Sequence, residues 1–139
     1  MTEAPTSDQL ANLRSVPLFA ELSDEVLGHI ANRATEFEAS EGHVLVQRHH
    51  AGTGLFIIEE GTVEVDLSGK KIELGPGEFF GELALLDENA THMARVCASS
   101  PLKCLALGRD DFHELLETQP RLAIAMLKTV ARRLAGANG

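Results

Sequence analysis

The chain has 139 residues, 44% of them hydrophobic and 24% charged, with 12 glycines and a formal net charge of −9. That length suits one domain with one core, burying roughly two-thirds of the unfolded surface, and the composition excludes a disordered or fibrous chain. The acidic balance argues against nucleic-acid binding by this chain and no apolar run is long enough for a membrane span; MTEAPTSDQL lacks the blocks of a signal peptide, so the expected location is the cytosol.

Residues 1–9 are polar and read as a flexible N-terminus ahead of a domain over 10–139. The proline in VPLFAEL marks a turn that packs Leu18 and Phe19 on the body. Ser23 then suits an N-cap, Asp24 and Glu25 favour a first helical turn, and Val26, Leu27, Ile30 and Ala34 recur with helical spacing. From about Thr35 glycines punctuate short apolar or alternating runs, which predicts a compact β architecture of about eight strands. LFIIEEGTVEVDL reads as a hairpin with Glu60-Gly61 near its turn. A second hairpin with its tip at Ser68-Gly69 sets Val65 opposite Ile72 and Val63 opposite Leu74, and lets Asp66 meet Lys71 on the other face. HMARVCA and LKCLALG read as the closing pair of strands. A tip at Ser100-Pro101 would bring Cys97 opposite Cys104, but two cysteines in a cytosolic chain are expected as reduced thiols.

The pattern then returns to helix. RDDFHELLETQ carries Phe112, Leu115 and Leu116 on one side, and Pro120 opens a last helix bearing Leu122, Ile124, Ala125, Met126, Leu127, Val130, Ala131 and Leu134. So broad an apolar surface exceeds one packing face, which leaves a homodimer seam or a partner protein as the use of the remainder. Arg121, Lys128 and Arg132-Arg133 on that helix read as a solvated face, with positive charge suited to the helix end.

The stretch with the most chemistry is GEFFGELALLDENATHMARV, residues 77–96. Gly81 permits close approach of the backbone to a ligand, and Glu82 to Leu86 are good formers of a short helix whose first N–H groups would attract a phosphate. Glu82 would repel that phosphate and suits a neutral donor such as a sugar hydroxyl, so a ribose phosphate meets both demands. Its plainer alternative is support of the helix dipole. A metal site of the cupin type is not expected: His49 and His50 are adjacent and would point to opposite strand faces, and the segment between them and Glu78 offers no third histidine. His29 and His113 read as helix surface or core, and His43 as a loop residue. No nucleophile–base set is identifiable, so no enzyme activity is expected.

The run from EGHVLVQRHH through FFGELALLDE, with LRSVPLFAELSDEVLGHIA before it and LGRDDFHELLETQPRLAIAMLKTVARRL after it, resembles the cyclic-nucleotide-binding domain family. The resemblance implies a mainly β fold, an eight-stranded jelly-roll-like β-roll with an N-terminal helix, a short phosphate-cassette helix and two C-terminal helices. It implies a regulatory module for cAMP or cGMP, without a metal, in which Gly81, Leu83 and Ala84 match backbone contacts and Glu82 matches the acid on the ribose 2′-hydroxyl. The family's phosphate arginine falls at His92, or at Thr91 with a shorter loop, and Met93 replaces its small polar neighbour; the nearest arginine is Arg95. That departure implies a weakened phosphate site. The rival expectation is a divergent interaction module that takes no cyclic nucleotide or binds another ligand. The chain stops at LAGANG, too soon for a helix-turn-helix domain, which suggests a free-standing sensor or a piece of a larger polypeptide.

Overall fold

A computed structural model describes residues 7–46, 54–67, 70–81 and 95–138. Within them the strands are β1 (Thr35–Ala39), β2 (Val44–Val46), β3 (Gly54–Glu60), β4 (Val63–Leu67), β5 (Lys70–Leu74), β6 (Phe79–Phe80), β7 (Arg95–Ala98) and β8 (Leu102–Gly108). They form two antiparallel four-stranded sheets, ordered β1-β8-β3-β6 and β2-β7-β4-β5. Helices α1 (Ser7–Arg14) and α2 (Asp24–Arg33) precede the strands, with a 3-10 turn at Pro17–Phe19 between them, and α3 (Arg109–Thr118) and α4 (Pro120–Asn138) follow. The expected β-roll with flanking helices is the observed fold. The segment expected to form the cassette helix lies outside the described residues. Among them no helix is long and apolar enough to cross a membrane.

Two cores explain why β3 and β8 read as nearly continuous apolar runs. Leu55 and Ile57 of β3 and Leu107 of β8 pack outward with Phe19, Leu27, Phe112, Leu122 and Met126 of the helical layer. The alternate residues, Ile58 of β3 and Leu102 and Cys104 of β8, face the roll interior with Val63, Val65, Leu74, Phe80 and Val96. A strand covered on both sides loses the polar half of its alternation. Strands β4 and β5 have one wet face and keep it: Val63 pairs with Leu74, Val65 with Ile72 and Asp66 with Lys71, in the expected register. Residues 68 and 69 at the tip lie outside the described residues.

Two expected hairpins are not formed. Strands β3 and β4 belong to different sheets, as do β7 and β8, so Glu60-Gly61 and Ser99-Pro101 are corners at which the chain crosses the roll. The reason is long-range. Thr62 N–H donates to Ser100 Oγ at 2.9 Å, Ser99 N–H donates to Thr62 O at 3.0 Å, and the Thr62 and Ser99 hydroxyls meet at 2.7 Å, so each corner holds the other. Gly61 has φ +89°, and a Cβ there would lie 2.2 Å from Pro101 O. Cys97 and Cys104 therefore sit in opposite sheets as free thiols, and burial pushes the Cys104 thiol up to about 12.

At the N-terminus, α1 begins at Ser7, inside the segment expected to be flexible. Its eight residues are mostly polar and give little sequence signal, but Leu13 and the following Val16 enter the helical core. Arg14 anchors the helix by pairing with Asp24 and donating to Leu22 O at 3.2 Å. The Pro17 turn buries Leu18 and Phe19 as expected. Ser23 caps α2 by accepting from Val26 N–H at 3.3 Å, and Leu27 and Ile30 are buried.

Candidate ligand site in the roll

The inner wall of the roll is aromatic where β3 meets β6. Phe56 stacks on Phe80 at 5.1 Å and 15°, and meets Phe37 edge-on at 5.9 Å and 83°. Phe37 and Phe56 of this sheet, and Leu45 and Ile72 of the other, are only partly buried around the tight inner core, so apolar surface is left uncovered there. The loop after β5 is sewn to β3: Gly77 N–H donates to Ile58 O at 2.8 Å and Ile58 N–H donates to Glu78 O at 2.9 Å. The Glu78 carboxylate also accepts from Gly75 N–H at 2.7 Å. These bonds fix the chain entering β6, and hence Gly81 after it.

Gly81 has φ +92°, and a Cβ there would lie 2.9 Å from Gly54 O and 3.4 Å from the Phe56 ring. Only glycine adopts that turn without strain while passing so near β3. From the sequence, Gly81 is expected to bring the backbone close to a ligand; the close approach seen among the described residues is to β3. Glu82, Leu83, Ala84, His92 and Met93, and also Thr91, lie outside the described residues, as do His49 and His50.

Arg95 is at the start of β7, where Val96 and Ala98 point inward into the core and Arg95 is exposed. It stands opposite Asp66, and Cys97 stands opposite Glu64, on the outer face of that sheet. A bulge does occur here, between Val44 and Val46, but it belongs to β2 and leaves the alternation of β7 intact. Arg95 therefore faces away from the roll interior. His43 lies in a loop and His29 on the exposed face of α2, while His113 is half-buried on α3. Among the described residues no group of three or more His, Cys, Asp or Glu side chains is arranged to hold a metal.

One titratable position escaped the sequence argument. The β3–β8 register slips between Ile58 and Glu60, which makes Glu59 the extra residue of a bulge. Its Oε1 is buried without a hydrogen-bond partner among the described residues. Burial, then a hydrogen bond and charge from Glu36, push its carboxyl up to about 7, opposed by Lys103. Two acids ending an otherwise apolar strand, IIEE, were the available signal.

The family model for the cyclic nucleotide-binding domain matches residues 36–119. A cyclic nucleotide-gated potassium channel of Mesorhizobium japonicum is 34% identical over 119 residues, covering 86% of this chain and 33% of the channel. The cGMP-dependent protein kinase isozyme 1 of Drosophila melanogaster is 39% identical over 114 residues, 75% of this chain and 15% of the kinase. Among solved structures, the regulatory subunit of a cAMP-independent protein kinase A from Trypanosoma brucei superposes with a TM-score of 0.76 at 26% identity, covering 88% of this chain and 46% of that one. A variant of that subunit with Glu→Ala, Thr→Arg and Val→Ala substitutions, TM-score 0.75, is bound to cAMP in its A site. The chain spans about a third of the length, or less, of the curated relatives it matches. The matched segment runs from β1 to the end of α3, which is the whole roll with its first C-terminal helix, and the chain belongs to the cyclic nucleotide-binding domain family.

Proposed function

We propose that this domain is a non-catalytic regulatory module that binds a cyclic nucleotide, cAMP or cGMP, inside the roll and relays its occupancy through α3 and α4. The observation that carries the reading is the left-handed turn at Gly81, fixed against β3 beside a partly open aromatic wall. In this proposal Gly81, Leu83 and Ala84 present backbone, Glu82 accepts from the ribose hydroxyl, and His92, followed by Met93, stands where the phosphate arginine would be. Arg95 takes no part, because it is exposed on the outer face.

The missing arginine sets the expected affinity. Loss of one charge-assisted hydrogen bond to phosphate costs about 1.5–3 kcal/mol, or about ten- to over a hundredfold in Kd. A protonated His92 recovers part of this, since a neighbouring anion raises an imidazole pKa. Binding of cAMP is then tighter at pH 6 than at pH 8, His92→Ala abolishes that difference, and His92→Arg tightens binding at both. A second reading has its own support: the Trypanosoma brucei subunit belongs to a protein kinase A named cAMP-independent, and an arginine is among the substitutions in its cAMP-bound variant. By that analogy a roll without the arginine takes another ligand or none. Thermal melts separate the two, since a nucleotide at a hundredfold over its Kd stabilises the fold by about 2.7 kcal/mol. If the native chain is not stabilised by excess cAMP or cGMP the first reading fails, and stabilisation of His92→Arg alone is the result the second reading expects.

A further inference from the structure

Helix α4 carries charge of one sign in a chain of the other. Its 19 residues include Arg121, Lys128, Arg132 and Arg133 and none of the chain's 21 acids, whereas the whole chain has a net charge of −9. Leu122, Met126 and Val130 bury its inner face in the helical core. On the other side Ile124 and Leu127 remain 54% and 68% exposed, the large exposed hydrophobics among the described residues. Ile124 lines a groove of about 550 Å³ between α4, the Pro17 turn and the Gly77–Phe79 loop, floored by Leu18, Phe79 and Leu122, and Leu127 lies on α4 outside that lining. Arg133 closes part of the groove, with its guanidinium 4.5 Å from the centre of the Phe79 ring. Four cations against Glu21 and Glu78 leave the groove net positive.

We propose that this face of α4 docks an acidic amphipathic helix of a partner protein. Apolar side chains one turn apart on the partner seat against Ile124 and Leu127 and enter the groove, while flanking carboxylates meet Arg121, Lys128 and Arg132. Apolar anchors supply affinity in such contacts, and charge complementarity supplies orientation and choice of partner. A second copy of α4 fits worse. Packed on itself, the helix sets cations against cations and has no acid of its own to answer them. The proposal deepens the regulatory reading by naming what reads α4, and rests on that reading for its use.

The probe is a synthetic helical peptide of about five turns with leucines at positions three and four apart and glutamates flanking them. Controls are the same residues in scrambled order and a version with lysine in place of glutamate. The glutamate peptide is expected to bind the native chain at least tenfold more tightly than either control, and to weaken severalfold when salt rises from about 0.05 to about 0.5 M. Arg121→Glu with Lys128→Glu and Arg132→Glu should lose at least tenfold for the glutamate peptide and gain the lysine peptide. Arg133 is left in place because it packs on Phe79. If the triple variant does not fold, Lys128→Glu alone is read the same way, with a smaller change in the same direction. Equal binding of ordered and scrambled peptides overturns the proposal. So does sedimentation showing a dimer that Leu127→Ser dissociates, or capture of the chain by phosphatidylserine vesicles that the glutamate peptide does not relieve. A chain that binds the peptide but no cyclic nucleotide sinks the regulatory reading and keeps this contact; the reverse result sinks this contact alone.

Discussion

Replacing Glu59 with Gln removes a carboxyl held at the bulge where β3 runs against β8. Glu36 of β1 acts on that carboxyl by its charge and as a hydrogen-bond partner once one of the two acids is protonated, and Lys103 of β8 and Glu60 act on its charge as well, while Glu59 Oε1 has no partner among the described residues. A hydrogen bond between two carboxyl groups requires one proton between them, and burial adds to the cost of removing it. The folded-state value is about 7 against an ordinary 4.5. Between those values the folded chain keeps a proton that the unfolded chain has lost, so the stabilisation is complete below about pH 4.5 and disappears as pH rises through 7. For a fully enclosed carboxyl this interval corresponds to about 3 kcal/mol; Glu59 is only half-buried, and screening reduces the figure to about 1–2 kcal/mol. For a chain of this size that is about 3–8 °C in Tm. Melts of the native chain and Glu59→Gln at pH 5, 6, 7 and 8 isolate the effect, because other titrations cancel in the difference. Gln can donate to the Glu36 carboxylate without a titrating proton, so the variant should match the native chain at pH 5 and exceed it at pH 8. Parallel Tm profiles across the whole range would refute the account of a shared proton.

Gly61→Ala places a Cβ 2.2 Å from Pro101 O at φ +89°, so it must open the joined corners; a loss of about 2–4 kcal/mol, read from the urea midpoint, is expected. Gly81→Ala meets Gly54 O at 2.9 Å with φ +92° and should cost about 1–3 kcal/mol, and on the proposed function it also removes stabilisation by cAMP or cGMP at concentrations that stabilise the native chain. A Gly81→Ala variant with native stability and an unchanged nucleotide response would remove Gly81 from both accounts.

What was legible in the sequence is what short-range chemistry decides. The Ser23 cap needs only Val26 three residues on, and the β4–β5 register follows from alternation across a two-residue tip. Both were readable for that reason. The β3–β4 and β7–β8 connections look like hairpins locally, because apolar runs flank a short polar segment, but their outcome depends on bonds between residues 62 and 99–100. A single sequence does not display such pairs. Helix α1 failed to register for the converse reason: its polar residues hold few core side chains, and its place is set by Leu13, Val16 and the reach of Arg14 to Asp24. At the candidate site the sequence singled out Gly81 for approach to a ligand; the left-handed φ of +92° and the contact with β3, which make the position so restrictive, were not readable there. Arg95 was placed by counting in twos from His92, and its outward face agrees with that count.

The two residues of β6 give that turn at Gly81 a mechanical reach. Phe79 and Phe80 pair with Ile57 and Phe56 of β3, and strand alternation sends their rings to opposite sides of the sheet. Phe80 enters the roll and stacks on Phe56; Phe79 enters the helical core, where Arg133 of α4 covers it. Gly81 follows directly, so displacement of the backbone there acts on a two-residue strand that touches both compartments. Both rings are about 3% exposed, and close-packed groups cannot absorb a shift by compressing; they must pass it to their neighbours. On the inner side that neighbour is the wall of the proposed nucleotide site. On the outer side it is the helix whose basic face is proposed to meet a partner, which is why a change at one is expected to be felt at the other.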